Sequence, residues 1–304
     1  MIRVFAGFAV PVLLASALGP VRSGPSAPPE QLLVTAQWLA DHRSDPDLVI
    51  LHLGPRDGYT AAHIPGARLS AGLTAPDRPG ALAVELPPDT ALARAMGALG
   101  ITNRSRIIIY TGNMPDGRPM MPPVAAFRAV STFFYAGVGQ QVAVLDGGLK
   151  AWQAAGQPIA TGTPEPVPPT TVTLQPRAGF LVDASFVQGL AGKPGHVLVD
   201  ARAASFHDGT QADTDKKGHI PGAKSLPMES FYTDAGTFKD LATIRGMFAA
   251  AGIAPSDTVV AYCHIGIYAN TVIAAARMLG HPVKFYDGSF QDWARRGLPT
   301  EPAS

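Results

Sequence analysis

Cysteine is almost missing from this sequence: Cys263 is the only one in 304 residues. A single thiol cannot close an intramolecular disulfide, so the fold has no covalent staple and the thiol needs another reason to be there. Free cysteine is often a small buried hydrophobe, so its sequence context must decide. An excess of either charge is missing too, with 24 Lys plus Arg against 23 Asp plus Glu and a net charge of +1. That balance argues against a broad surface for nucleic acid or an anionic membrane and leaves any anion specificity to local groups. Metal-ligand spacing is also lacking: the eight histidines are scattered, Cys263-His264 has no companion ligands, and no glycine-rich phosphate fingerprint follows a strand. No metal and no cofactor are expected.

Long apolar runs are confined to the N-terminus, where Val4 to Leu18 follows Arg3. The run is shorter than the roughly 20 residues of a membrane-spanning helix. Ala15-Ser16-Ala17 supplies small residues suited to cleavage between Ala17 and Gly24, so residues 1–24 read as an export signal and the mature chain as periplasmic. An uncleaved anchor is the alternative reading. No cysteine lies nearby for a lipid, and no stable membrane anchor is expected.

What is present is a duplication. His63-Ile64-Pro65-Gly66-Ala67-Arg68 returns as His219-Ile220-Pro221-Gly222-Ala223-Lys224, and Leu145-Asp146-Gly147-Gly148 through Trp152 returns as Tyr286-Asp287-Gly288-Ser289 through Trp293. Between these markers Arg106-Ile107-Ile108-Ile109-Tyr110 matches Thr258-Val259-Val260-Ala261-Tyr262, each an apolar β-branched run feeding an alanine-rich segment. Such runs read as buried strands leading into helices, with earlier strands at Leu48–Leu51 and Val197–Val199. Strands alternating with helices imply an α/β fold with a mainly parallel sheet covered on both faces. The hydrophobic content of 46% suffices for two cores, placed at residues 30–160 and 180–300. The stretch 161–179, with Pro164, Pro166, Pro168, Pro169 and Pro176, reads as an extended, stiff linker.

Tyr262-Cys263-His264-Ile265-Gly266-Ile267-Tyr268-Ala269 falls where a buried parallel strand ends and a helix begins, the place where open α/β sheets put their ligands. A loop entering a helix turns several backbone N–H groups inward, and with the positive end of the helix dipole they favour an anion, here a thiolate.

These residues resemble the rhodanese family, and so do Val199-Asp200-Ala201-Arg202, Gly218-His219-Ile220-Pro221-Gly222-Ala223 and Asp287-Gly288 through Trp293, in the family's order. The resemblance covers nearly the whole mature chain. It implies two tandem rhodanese-like domains, the first without a catalytic cysteine because Thr111 stands where Cys263 falls in the second copy. It further implies a sulfurtransferase in which Cys263 takes sulfur from a small-molecule donor as a persulfide and releases it to cyanide or a thiol. The N–H groups of His264, Ile265, Gly266, Ile267, Tyr268 and Ala269 would hold the thiolate and the persulfide. Arg202 would bind an anionic donor, with a structural ion pair as the alternative. His63 would approach the site across the domain interface, as the equivalent residue does in mercaptopyruvate-using relatives. His219 is expected to hydrogen-bond locally, Asp200 to order its strand end, and Trp152 and Trp293 to anchor cores.

The loop matches neither subgroup of the family. Thiosulfate-using members commonly carry Cys-Arg-Lys-Gly and mercaptopyruvate-using members Cys-Gly-Ser-Gly, whereas this chain has Cys263-His264-Ile265-Gly266. Thiosulfate is expected as donor, with 3-mercaptopyruvate as the alternative. Cysteine phosphatases of the same fold need an arginine at the far end of the loop to clamp phosphate, and Ala269 stands there. A noncatalytic sulfur-carrying or scaffold protein is the remaining rival, but it gives no reason to keep one reactive thiol in one copy only.

Overall fold

The computed structural model describes residues 31–302 except 71, 76, 77, 119, 121, 122, 140, 191, 192 and 213, so the expected export signal lies outside the described residues. The first half runs β1 Leu33–Val34, α1 Ala36–His42, β2 Leu48–Leu53, α2 Arg56–Ala61, β3 Arg68–Ser70, α3 Asp89–Ala98, β4 Arg106–Thr111, α4 Val124–Ala136, β5 Gln141–Leu145 and α5 Gly148–Ala154. The second runs β6 Leu181–Val182, α6 Ala184–Gln188, β7 His196–Asp200, α7 Ala204–His207, β8 Lys224–Ser225, α8 Leu241–Ala250, β9 Thr258–Tyr262, α9 Ala269–Met278, β10 Val283–Tyr286 and α10 Ser289–Arg295, with a 3₁₀ turn at Met228–Phe231.

Each half forms a five-stranded sheet, in the orders β1-β5-β4-β2-β3 and β6-β10-β9-β7-β8. All neighbours are parallel and the second order repeats the first strand for strand. The central strands β4 and β9 are buried along almost their whole length, which is why their sequences are continuous apolar runs with no alternation. The register keeps the two copies in step, since His52 pairs with Tyr110 in one and Asp200 with Tyr262 in the other. Trp152 and Trp293 close equivalent corners, each indole N–H donating to a proline carbonyl over 2.8 Å, that of Pro158 and of Pro299.

The outer face of each sheet has its own apolar cluster, one around Leu39 and Trp152, the other around Leu198 and Trp293. The inner faces share a single cluster. Phe127, Val130 and Phe133 of α4 join Val272, Ile273 and Ala276 of α9, together with Phe231 and Phe238. The halves are therefore fused through apolar side chains rather than joined by the linker alone.

Candidate functional site

β9 delivers Cys263 to the C-terminal edge of its sheet, and the chain turns through residues 263–268 before α9 begins. The turn depends on Gly266, whose φ is +83°. A Cβ at Gly266 would lie 2.6 Å from the Asp287 carbonyl oxygen and 2.8 Å from Asp287 Oδ1, so no side chain fits. In this conformation the Gly266 N–H donates to Cys263 Sγ over 3.2 Å. The Asn270 side chain donates to the carbonyls of Gly266 at 2.7 Å and Ile267 at 3.1 Å, pinning the loop to the first turn of α9.

The start of α10 holds the loop from the other side. Phe290 N donates to the Cys263 carbonyl at 2.9 Å and Gln291 N to the His264 carbonyl at 3.0 Å. Cys263 N donates to Ser289 Oγ at 3.2 Å, and that hydroxyl donates onward to the Tyr286 carbonyl at 3.0 Å. Both backbone polar groups of Cys263 are thus spoken for, and its thiol is free of disulfide and 1% exposed as a residue. The Gly266 N–H is thus the donor that an anion on sulfur meets.

His264 packs edge-on against Phe206 with ring centroids 4.6 Å apart, and edge-on against Tyr268 at 5.9 Å. Tyr268 is 36% exposed, Ile265 and Ile267 are half-buried, and Ala269 is buried at the helix start. Of the six loop residues expected from the sequence, Gly266 is the one whose N–H meets Cys263 Sγ. The side chains here are aromatic and aliphatic; none of residues 265–269 carries charge.

The first domain reaches this loop. Arg128 of α4 donates to the Gly266 carbonyl at 3.1 Å and forms a two-pronged ion pair with Asp287, at 2.5 and 3.2 Å. A cavity of about 290 Å³, lined by Leu53, Leu73, Val84, Met120 and Ala129 of the first domain, is closed on one side by Ile267 of the loop. Thr111 ends β4 where Cys263 follows β9, as the repeat implies, and it is buried.

Two other expected residues, Arg202 and His63, make their contacts within their own domains. Arg202 is 1% exposed and turned into the domain: its Nε and Nη2 grip Asp200 at 2.7 to 3.1 Å, Nη2 also donates to the Gly218 carbonyl, and the guanidinium lies 3.9 Å from the Phe290 ring centroid. Its partner is thus the protein's own carboxylate. Burial alone would raise the Asp200 pKa, but hydrogen bonds from His207 and Arg202 and the guanidinium charge hold it down at about 2.

His63 stacks on Tyr59 at 3.8 Å, its Nδ1 pairs with the Tyr59 carbonyl at 2.8 Å, and its backbone bridges to Ala160. Those contacts lie within residues 59–160. His219 does the same in its own copy, stacked on His207 at 3.7 Å and bonded to the His207 carbonyl. The His-Ile-Pro-Gly motif is a corner brace in both domains, and in both the following isoleucine N–H donates to a strand tyrosine, Tyr110 or Tyr262.

The copies diverge under that brace. Where the second has the Asp200–Arg202 pair, the first has His52 and Gly54. The His52 ring fills the space, lying 2.9 Å from where a Cβ on Gly54 would be and 2.1 Å from one on Gly112. Its Nδ1 is 2.9 Å from Tyr110 Oη. Burial first, and then the neighbouring His63, push the His52 pKa down to about 4.

Sequence reasoning passed over Arg128, Asn270 and Ser289. Arg128 had a signal, being the sole charge in the apolar helix Val124–Ala136. Ser289 had one only in the repeat, where its counterpart is Gly148.

The family model described as a rhodanese-like domain matches residues 35–155 and again 183–296. A protein of Pseudomonas aeruginosa named "Probable 3-mercaptopyruvate sulfurtransferase" is 35% identical over 276 residues, covering 86% of this chain and 94% of that protein. The thiosulfate sulfurtransferase of Gallus gallus is 29% identical over 285 residues, 88% of this chain and 94% of that protein. Among solved structures, YnjE superposes with a TM-score of 0.78 at 26% identity, over 90% of this chain and 68% of YnjE. Wild-type EanB does so with a TM-score of 0.75 at 26% identity, over 90% of this chain and 69% of EanB. Two domain matches that fall on the two sheets, and a 35% identical relative aligned along nearly all of its length, establish that the chain belongs to the rhodanese family of sulfurtransferases.

Proposed function

We propose that this sulfurtransferase moves sulfane sulfur from thiosulfate to cyanide or a thiol through a persulfide on Cys263. The Cys263 thiolate attacks the outer sulfur of thiosulfate, the sulfur–sulfur bond breaks, and sulfite leaves with the bonding pair. Cyanide or a thiolate then attacks the terminal sulfur of the persulfide, yielding thiocyanate or a new persulfide and returning the Cys263 thiolate. The observation that carries this reading is the Gly266 N–H directed at Cys263 Sγ over 3.2 Å, in a loop whose counterpart in the first domain holds Thr111. Donors fixed before reaction stabilise the anionic sulfur of both resting and loaded enzyme without reorganising.

A second donor, 3-mercaptopyruvate, is favoured by the 35% identity to the relative named for it, against 29% to the chicken thiosulfate enzyme. There the carbon–sulfur bond breaks, and the pyruvate enolate that leaves takes up a proton. Mass spectrometry of protein incubated with each donor separates the two. The true donor adds about 32 Da, one sulfur atom, on Cys263. No gain with either would overturn the enzyme reading in favour of a scaffold. The periplasmic location is proposed on the strength of Arg3 and the Val4 to Leu18 run, and cell fractionation tests it.

A further inference from the structure

We propose that Arg128, on the domain that carries no cysteine, is a positioning residue for the Cys263 loop. The inference rests on Cys263 as the sulfur carrier. Arg128 is the only charged residue of α4, its side chain is 6% exposed, and it lies in the apolar seam where α4 meets α9. A cation there requires compensation, and it has four acceptors: Asp287 Oδ1 at 2.5 Å, Asp287 Oδ2 at 3.2 Å, the Val84 carbonyl at 2.7 Å and the Gly266 carbonyl at 3.1 Å. Three of the four belong to the other domain.

The Gly266 contact is the one that bears on sulfur. In a planar trans peptide the C=O and the following N–H point in opposite directions. Arg128 and Asn270 both draw the Gly266 carbonyl to one side, so the N–H of Ile267 is turned to the other. Gly266, the residue held in this way, is the one whose own N–H points at Sγ. The same guanidinium grips Asp287, whose main-chain and carboxylate oxygens leave Gly266 no room for a Cβ. Arg128 therefore fixes the loop from outside at its tightest point.

The first domain accepts strain to build this contact. Val84 has φ +50°, a left-handed conformation that a β-branched residue adopts at a cost, and its carbonyl is one of the Arg128 acceptors. The segment around it clasps the second domain. Ala83 N donates to Gln291 Oε1 at 2.8 Å, Leu86 N to Asp287 Oδ2 at 3.4 Å, and Arg295 donates to the carbonyls of Gly80 and Ala81. Gln291 is also the residue whose N–H holds the His264 carbonyl. The cysteine-free domain is, on this view, the jig that keeps the loop in its reactive shape.

The test separates positioning from simple domain adhesion. Arg128→Lys keeps a cation against Asp287 but cannot present a planar fork to four acceptors. We expect kcat to fall about tenfold or more with KM for the donor nearly unchanged, the signature of losing an interaction with the transition state. Alkylation of Cys263 by iodoacetamide at fixed pH should slow in parallel. That second readout involves no sulfur donor or acceptor, so it reports on the loop even if the substrate assignment fails. The control is Asp146→Ala, which removes the acceptor of Phe238 N at the same domain interface, 2.9 Å apart, without touching the loop. It should lower stability and leave both rates unchanged. If Arg128→Lys does not fold, Arg128→Met combined with Asp287→Asn removes both buried charges together and should show the same two losses. Unchanged kcat and alkylation in the folded Arg128 variants, or equal losses in Asp146→Ala, would overturn the proposal.

Discussion

Ser289 holds Cys263 by its backbone. The Cys263 N–H donates to Ser289 Oγ over 3.2 Å, and to place that hydroxyl Ser289 adopts φ +52°, a conformation that favours glycine. The first domain has glycine at the equivalent position, Gly148 with φ +57°, opposite Thr111. The strained serine thus occurs in the copy that has the cysteine and not in the other.

Ser289→Gly should consequently divide stability from activity. Relief of the left-handed backbone offsets the lost hydrogen bonds, so stability should change by no more than about 1 kcal/mol. Turnover should nonetheless fall, because the Cys263 amide is no longer anchored. Thermal melts alongside steady-state kinetics check this, and a variant with full turnover would remove the hydroxyl's assigned role.

Replacing Cys263 by serine should abolish sulfur loading and leave the fold intact. Serine is close to cysteine in size, and the residue's backbone bonds to Ser289 and Phe290 do not depend on sulfur. Intact mass after incubation with thiosulfate, together with circular dichroism, gives the answer, and retained transfer in a folded variant would sink the persulfide mechanism.

Arg202→Ala is expected to damage folding rather than donor binding. It leaves Asp200, itself 0% exposed, without the guanidinium that compensates its charge, a loss of about 3–5 kcal/mol for breaking a buried pair from one side. Urea titration measures that loss. A raised KM at wild-type stability would instead return Arg202 to the donor site.

His52 gives the fold a specific acid sensitivity. Its folded pKa, about 4, lies below the ordinary histidine value of 6.5, so the unfolded chain binds the proton more readily. The contribution of neutral His52 is fully present above about pH 6.5 and is lost progressively as pH falls toward 4. His52→Gln, which cannot titrate, should flatten the stability profile across that window relative to the parent. An unchanged slope in denaturant titrations at several pH values would contradict the assignment.

Much of the fold was legible because it is periodic and repeated. The runs at Arg106–Tyr110 and Thr258–Tyr262 could only be buried parallel strands, and the markers around them recur in order. Cys263 was legible because a strand end, a glycine and an alanine-rich helix form a local pattern. The contacts of Arg202 and His63 were not legible, since sequence does not say which way a side chain turns at a strand end or corner. Asp200 lies two residues from Arg202 and took its guanidinium; Tyr59 lies four from His63 and took its ring. Arg128 contacts Gly266 across the whole linker, and no local pattern encodes a partner that distant.

The apolar cluster shared by α4 and α9 sets the scale at which this chain is a single object. Cutting at the proline-rich segment would expose Val272, Ile273 and Ala276 to water on one piece and Phe127, Val130 and Phe133 on the other. Neither fragment would inherit a complete interior, so melting should be cooperative, one calorimetric transition in place of two. The duplication visible in the sequence has become thermodynamically indivisible.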